Sequence, residues 1–539
     1  MANFTDSAKI ILAARYLLKD KTGAIIESPD GMLQRVAHHV SYAENVSSRE
    51  KYEDQFMGIM DTLEFLPNSP TLMNAGKELG QLSACFLLPI QDNLANIFEM
   101  VKQVALIHKT GGGTGIVLSY LRPLNSMVQS TSGVASGPVS FMRVFDVATD
   151  VVKQGGVRRG ANMGVLHVSH PDIYSFIRCK ENISQFQNFN LSVAITDKFL
   201  NSSIKGNGFY LRNPFTKERT SVDAGELFDI LCKEAWKTGE PGLIFIDTIN
   251  SKNPTPWLGM IEGTNPCGEQ PLLPYESCNL GSIDVSKFVT GTRVDWDRLD
   301  EVVSIAVRFL DDVIEVNKYP NVKIMRKTKM TRKVGLGIMG WADLLIKLGL
   351  RYDSEQALKL AKRMMMQIRE TAHITSRELG KEKGLFPGFR GHSNTKRRNA
   401  TLTTIAPTGT LSLLADCSSG IEPIFGKQFV KTVLNDVKIS FGDRYKDISD
   451  DLLITSLDIP IEGHITMQAA FQEYTDNAVS KTVNLPKSAT VKDVKKAFIL
   501  AHKLGCKGLT VYRDGSRKAP IEITTEGELS ECENGRCRI

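Results

Sequence analysis

The sequence predicts an α/β protein built on a largely parallel sheet or barrel. Two observations carry that expectation. Short apolar runs recur from about residue 114 onward, each bounded by Gly, Pro or Asn. Amphipathic helical patterns lie between many of them, and buried strands that alternate with helices are the mark of parallel crossovers. The composition is a third. Of 539 residues, 42% are hydrophobic and 23% charged, the balance of a soluble globular chain with a large core.

Taken in order, residues 1–66 read as a helical region. There "AKIILAARYLLK" and "YEDQFMGIMDTLEFL" place apolar residues at i, i+3 and i+4. Strands are expected at "TGIVLSY", "MGVLHVSH", "FNLSVAIT", "GLIFID", "KVGLGIMG", "ATLTTIAP" and "KGLTVYRDG". Helices are expected at "DEVVSIAVRFLDDVIEV" and "SEQALKLAKRMMMQIRETAHITSRELG". Residues 67–517 therefore form the α/β body. From Lys518 the chain turns polar and Glu-rich, so 518–539 is expected as a flexible tail.

No apolar run approaches the roughly 18–20 residues of a membrane span. The N-terminus lacks the order of a signal peptide, so a cytoplasmic protein without membrane contact is expected. A net charge of +6 is small for this length and indicates no nucleic-acid partner. Nine cysteines are too few for a secreted disulfide scaffold. In a reducing compartment a clustered thiol points to redox, metal or catalytic chemistry. Cys179, Cys232, Cys417 and Cys506 are expected as buried small hydrophobes.

The stretch "TNPCGEQPLLPYESCNLGS" sets one thiol, Cys267, two residues from the amide Asn265 and two from the carboxylate Glu269. A second thiol, Cys278, follows eleven positions on. Such a thiol can serve as nucleophile, metal ligand or thiyl radical. A nucleophile wants a His base or a lowered pKa. No His lies in the stretch, and a neighbouring carboxylate raises a thiol pKa. One Cys and one Glu lack a metal-ligand spacing. A radical thiol needs neither thiolate nor metal; the carboxylate then suits an acid/base step and the amide the orienting of a hydroxyl. A kinked surface turn with a chance thiol is the plain alternative.

Other motifs are ambiguous in isolation. Cys85 opens the apolar run "CFLLPI" and reads as a core cysteine at a strand start. "TIAPTGTLSLL", Thr404 to Leu414, is a strand, a turn and a helix start, suited to an anion or to ordinary capping. "KTGGGTG" has Lys109 ahead of its glycines, the wrong order for a P-loop, so a flexible or close-packed glycine loop is expected. "KQGGVRRGANMG", with Arg158 and Arg159, is either a mobile nucleotide-contacting loop or a solvated basic one. "CENGRC" lacks the second ligand pair that zinc would want, and no metal centre is expected. Its dithiol, Cys532 and Cys537, suits thiol–disulfide exchange.

Together these residues resemble the catalytic chain of a ribonucleotide reductase, in particular the class II, adenosylcobalamin-dependent branch. The resemblance runs from "ARYLLKDKTG" to "CKGLTVYRDGSR" and is carried by "NPCGEQPLLPYESCNLGSI", "FLPNSPTLMNAG", "RRGANMGVL", "APTGTLS", "CSSGIEP" and "YTDNAVSKTVNLP". It implies a ten-stranded α/β barrel with the radical cysteine on a loop inside it. By the same resemblance, Cys267 is the thiyl site that takes the ribose 3′ hydrogen, Glu269 takes the 3′ hydroxyl proton, and Asn265 hydrogen-bonds the ribose. Cys85 and Cys278 become the reducing pair. Ser69 and Ser83 contact the nucleotide, and Thr408, Gly409, Thr410 and Ser412 hold its phosphates. Asp92, Asn93, Leu94 and Arg122 bind a deoxynucleotide effector, and the loop from Gln154 to Met163 relays effector identity. Cys532 and Cys537 re-reduce the buried pair and are themselves reduced by thioredoxin or glutaredoxin. A homodimer acting on ribonucleoside diphosphates is implied, with triphosphates left open.

The chain also departs from the family. Only 68 residues precede Ser69, so no N-terminal ATP-cone domain is expected. The tail spacing is C-x-x-x-x-C, wider than C-x-x-C. The D-x-H-x-x-G cobalamin signature of mutases is missing. Tyr512 stands alone near the C-terminus, where a class I chain would carry a tyrosine pair. Two rival readings are a class I large chain needing a radical-generating small subunit, and a non-catalytic nucleotide-binding regulator of the same fold.

Overall fold

The structure is a computed structural model. It describes residues 2–128, 132–152, 160–390, 396–427, 429–433, 437–440, 444–517, 521–523, 532–533 and 536–537; side chains at 429–440 and 521–537 are not among those described. No helix among the described residues is long and apolar enough to cross a membrane.

The N-terminal region folds as expected into helices α1 (Asp6–Arg15), α2 (Pro29–Ser41) and α3 (Arg49–Asp61). The first two start on side-chain caps: Thr5 accepts from the Ala8 N–H and Ser28 from the Gly31 N–H, which satisfies first-turn donors. Their apolar stripes, among them Leu12, Val36 and Phe56, pack with the buried face of the long helix Trp296–Val316. Phe56 meets Phe309 edge-on at 5.1 Å between ring centroids, a favoured aromatic geometry.

Ten strands share one sheet. They are β1 (Phe65–Pro67), β2 (Cys85–Pro89), β3 (Gly113–Val117), β4 (Asn162–His167), β5 (Phe189–Ile195), β6 (Gly242–Phe245), β7 (Ser277–Asp284), β8 (Val334–Met339), β9 (Thr482–Leu485) and β10 (Gly508–Arg513). Strands β2 to β6 run parallel to one another in chain order. β6 then meets β10 antiparallel, and β10 pairs parallel with β9. At the other edge β7 pairs antiparallel with β2 and parallel with β8. The ring closes through residues 401–405. Leu336 bridges Thr403 and Ile405 bridges Val479, both parallel, and the Ile405 N–H donates to the Ala478 carbonyl at 3.1 Å. The result is a closed barrel of two parallel halves set antiparallel, with β1 as an outer flank on β7.

Side chains alternate across this wall as the pleat requires. On β2, Cys85 and Leu87 join one small cluster with Val117, Cys278 and Leu280, whereas Phe86 and Leu88 pack outward under the helices. The segment around Cys278, absent from the strands expected from sequence, is the eight-residue strand β7, buried at every position. Its composition, Ser-Cys-Asn-Leu-Gly-Ser-Ile-Asp, has few β-branched or aromatic residues to announce a strand. Cys232, Cys417 and Cys506 are buried as expected, and Cys179 is partly so.

Candidate active site

The Cys267 loop is a hairpin projecting into the barrel. Gly263–Thr264 pairs antiparallel with Pro271–Leu272. At its tip the Gly268 N–H donates to the Asn265 carbonyl at 3.1 Å. Asn265-Pro266-Cys267-Gly268 is thus a β-turn, and with Cys267 at negative φ it is of type I. Asn at the first position, Pro at the second and Gly at the fourth are what that turn favours. The third corner, the one left exposed, holds the thiol.

The barrel fastens this tip from several strands. Asn190 on β5 donates to the Pro266 carbonyl at 2.8 Å, and Thr404 Oγ1 donates to the Glu269 carbonyl at 2.9 Å. The Ala478 N–H donates to the same carbonyl at 3.0 Å. On the β3 side contact is so close that a Cβ built on Gly115 would lie 2.0 Å from the Thr264 carbonyl oxygen. This glycine belongs to "KTGGGTG", where close packing is what the structure has.

The expected chemical groups converge here. The Asn265 carboxamide is oriented by its own loop: Oδ1 accepts from the Gln270 N–H at 3.0 Å and from Thr264 Oγ1 at 3.2 Å, leaving Nδ2 to reach Cys85 Sγ at 3.1 Å. Cys85 Sγ lies 3.8 Å from Glu269 Oε1. Cys85 and Cys278 are direct Cα partners across β2 and β7. Directly opposed antiparallel residues are about 4.5–5.5 Å apart at Cα, inside the range a disulfide spans. Both are present as thiols. Burial pushes the Cys278 thiol well above its ordinary pKa, against the opposing pull of Lys333, so it rests as S–H. That S–H donates to the Asn279 and Lys333 carbonyls at 3.3 and 3.4 Å.

Cys267 lines a cavity of about 240 Å³ together with Pro407, Ser192 and Thr510. Pro407 leads directly into the Thr408 turn. Thr408 has φ +52°, a costly left-handed conformation for a β-branched residue, and its Oγ1 accepts from the Gly420 N–H at 2.7 Å. Gly409 and Thr410 follow, and Ser412 Oγ meets Ser419 Oγ at 2.9 Å. Ser83 is buried beside the thiol pair, 3.0 Å from Asn317 Nδ2 and 3.2 Å from Ser277 Oγ. Ser69 opens the short helix Ser69–Asn74, its Oγ 2.8 Å from the Tyr16 hydroxyl.

A second expected group assembles on the surface. Arg122 Nε donates to Asp92 Oδ2 at 2.7 Å, and the guanidinium lies 4.8 Å over the Phe215 ring. Asn93 caps helix α4 (Leu94–Lys109), and Leu94 is exposed. Most of the Gln154–Met163 loop, with Arg158 and Arg159, falls outside the described residues, as do the side chains of Cys532 and Cys537.

Sequence reasoning missed the polar wall of the cavity. Lys481 is fully buried, its Nζ 2.8 Å from Glu422 Oε2 and 3.0 Å from His464 Nδ1. His464 Nε2 donates to the Ser456 carbonyl at 2.9 Å, which fixes the neutral tautomer with Nδ1 as acceptor. Burial and the Lys481 charge push His464 down to about 2. A buried ion pair also stands behind Cys278, Lys333 Nζ to Glu276 Oε2 at 2.7 Å. Lys481 and Glu422 lie within "YTDNAVSKTVNLP" and "CSSGIEP", but neither string signals that the two side chains meet.

A closed ten-strand barrel around a thiol hairpin, with two further thiols in register on its wall, defines a class of protein. The chain matches the ribonucleotide reductase barrel domain over residues 83–398, 395–453 and 444–512, and the ribonucleotide reductase all-alpha domain over 2–80. It belongs to the ribonucleotide reductase family. Among its relatives, a vitamin B12-dependent ribonucleoside-diphosphate reductase of Thermoplasma acidophilum is 44% identical over 97% of this chain and 80% of its own length. One of Mycobacterium tuberculosis is 47% identical over 96% and 80%. A vitamin B12-dependent ribonucleotide reductase of Streptomyces clavuligerus is 29% identical over 92% and 63%.

Proposed function

We propose that this chain is a class II ribonucleotide reductase that converts ribonucleoside diphosphates to deoxyribonucleotides with adenosylcobalamin as cofactor. The observation that carries the reading is the cross-strand register of Cys85 and Cys278 beside the Asn265–Cys267–Glu269 hairpin. The hydroxyls of Ser192 and Thr510 and the guanidinium of Arg517 line the cavity on which Cys267 lies, and these hydrogen-bonding groups would hold the nucleoside end of such a cofactor. When bound, adenosylcobalamin supplies the radical equivalent that the Cys267 thiol requires.

The chain's own residues account for the remaining chemistry. Cys267, as a thiyl radical, takes the 3′ hydrogen of the ribose and returns it at the end of the cycle. Glu269 takes the 3′ hydroxyl proton, and Asn265 Nδ2 orients the ribose. The 2′ hydroxyl leaves as water. The dithiol Cys85 and Cys278 gives up two electrons and two protons, replaces the lost C–O bond with C–H, and ends as a disulfide. Burial keeps Cys278 protonated, the state a hydrogen donor requires. The Thr408–Ser412 turn holds the phosphates, its strained Thr408 being the kind of conformation stored at ligand sites. Enclosure in the barrel protects the radical from water and side reactions.

An anaerobic assay with adenosylcobalamin, dithiothreitol and a ribonucleoside diphosphate, with no second protein, should yield deoxynucleotide. Without reductant the prereduced chain should stop after about two turnovers, one for each dithiol, with Cys85–Cys278 and Cys532–Cys537 cross-linked peptides in the digest. No product under the first condition would sink the class II reading.

We further propose that Asp92, Asn93, Leu94 and Arg122 receive a deoxynucleotide effector at a homodimer interface. Exposed Leu94 and Phe98 on α4, with Val147 and Val151 on the neighbouring helix Gly137–Val151, support an interface there. Cys532 and Cys537 act as the shuttle to thioredoxin or glutaredoxin, a tethered dithiol having a high effective concentration at a buried disulfide. Cys532→Ser with Cys537→Ser should abolish thioredoxin-supported turnover and leave most of the dithiothreitol-supported rate; equal loss with both reductants contradicts the shuttle.

A further inference from the structure

A large cavity lies away from the thiols. It encloses about 820 Å³ and shares no lining residue with the Cys267 cavity of about 240 Å³. It sits where three adjacent barrel segments begin: Thr401 opens 401–405, Asp476 precedes 477–485, and Lys507 precedes β10. The Thr408 turn, Lys481 and Thr510 lie further along those same segments.

The described part of the wall carries more positive than negative side chains. Among the described residues five cations line it, Lys252, Lys362, Arg369, Arg397 and Lys507, against two carboxylates. Glu473 is taken by Lys362 at 2.8 Å. Asp476 is turned into the wall, where its Oδ2 accepts from the Leu402 N–H at 2.9 Å and lies 3.2 Å from His373 Nε2. Arg369 Nε donates to Asp476 at 3.4 Å, and Arg397 contacts His373 at 3.1 Å and the Ala400 carbonyl. Lys507 donates to two backbone carbonyls, Asp476 and Asn477, each at 2.6 Å. Burial and mutual repulsion push Arg397 below its ordinary pKa and Lys507 down to about 8. Cations crowded in this way without matching carboxylates are what a polyanion would relieve.

We propose that this cavity is a binding site for an oligophosphate anion, with Lys252, Arg369, Arg397 and Lys507 as the cationic wall. Guanidinium forks match phosphate oxygens in pairs. Several separated cations around one volume suit a chain of phosphates better than a single carboxylate. Leu358, Ala469 and Leu504 supply an apolar side against which a nucleoside base can rest.

The test is calorimetric titration of the full chain with sodium tripolyphosphate and, separately, with ATP. Wild type is compared with Arg369→Gln plus Lys252→Gln, with Ser412→Ala at the phosphate turn, and with Arg122→Gln at the effector group. One binding event should be lost, or weakened by about tenfold or more, in the Arg369/Lys252 variant and retained in the other two. Lys252→Glu alone, a change at an exposed side chain, should weaken the same event without disturbing buried contacts. Tripolyphosphate and ATP binding alike would identify the phosphate chain as the ligand; ATP alone would identify a nucleotide. Unchanged stoichiometry and affinity in both the Arg369/Lys252 variant and Lys252→Glu would overturn the proposal.

Discussion

Cys267→Ser should reduce deoxynucleotide formation by at least about a thousandfold, since a hydroxyl cannot replace the radical-bearing sulfur, while nucleotide binding stays within about twofold. The separation is expected because Cys267 is the exposed corner of its turn. Asn265, Pro266 and Gly268 set that turn's geometry, and its fastenings run through the Pro266 and Glu269 carbonyls. Turnover by the serine variant, measured as deoxynucleotide under anaerobic conditions, would remove the radical assignment; loss of binding along with turnover would point to a structural role instead. The same variant separates the enzyme from a non-catalytic regulator of the same fold.

Gly115→Ala should also slow the enzyme, by about a hundredfold, although residue 115 carries no chemistry. A Cβ there would lie 2.0 Å from the Thr264 carbonyl oxygen and 2.8 Å from Leu87 Cδ1. A flexible side chain could yield, but Thr264 is backbone within the hairpin that carries Cys267. Either β3 or the hairpin must shift. Overpacking of this kind costs about 1–3 kcal/mol, and a displacement near 1 Å at the thiol can cost on the order of a hundredfold in rate. Thermal unfolding and steady-state kinetics on the same sample measure both. Wild-type kcat with an unchanged melting temperature would show that the hairpin does not depend on this approach.

Much of the architecture was legible because its signals are local. The N-terminal helices announced themselves by 3.6-residue spacing, and six of the seven expected apolar runs fall on barrel strands. The seventh, "ATLTTIAP", joins the barrel only by single bridges to Leu336 and Val479, yet it is the segment that closes the ring. β7 was missed because an eight-residue strand of small and polar side chains, buried on both faces, lacks the alternation that marks a half-exposed strand.

What the sequence determined by itself is the chemistry of the hairpin. Asn265, Pro266 and Gly268 dictate a type I turn through their own backbone preferences, and that turn needs no partner to present Cys267. The tertiary structure alone decided what stands opposite it. Cys85 and Cys278 are 193 residues apart in sequence, and the register of β2 on β7 makes them neighbours. Lys481, Glu422 and His464 come from three separate segments and meet only inside the folded chain. Register and burial are properties of distant segments packed together, and no local preference of either segment encodes them.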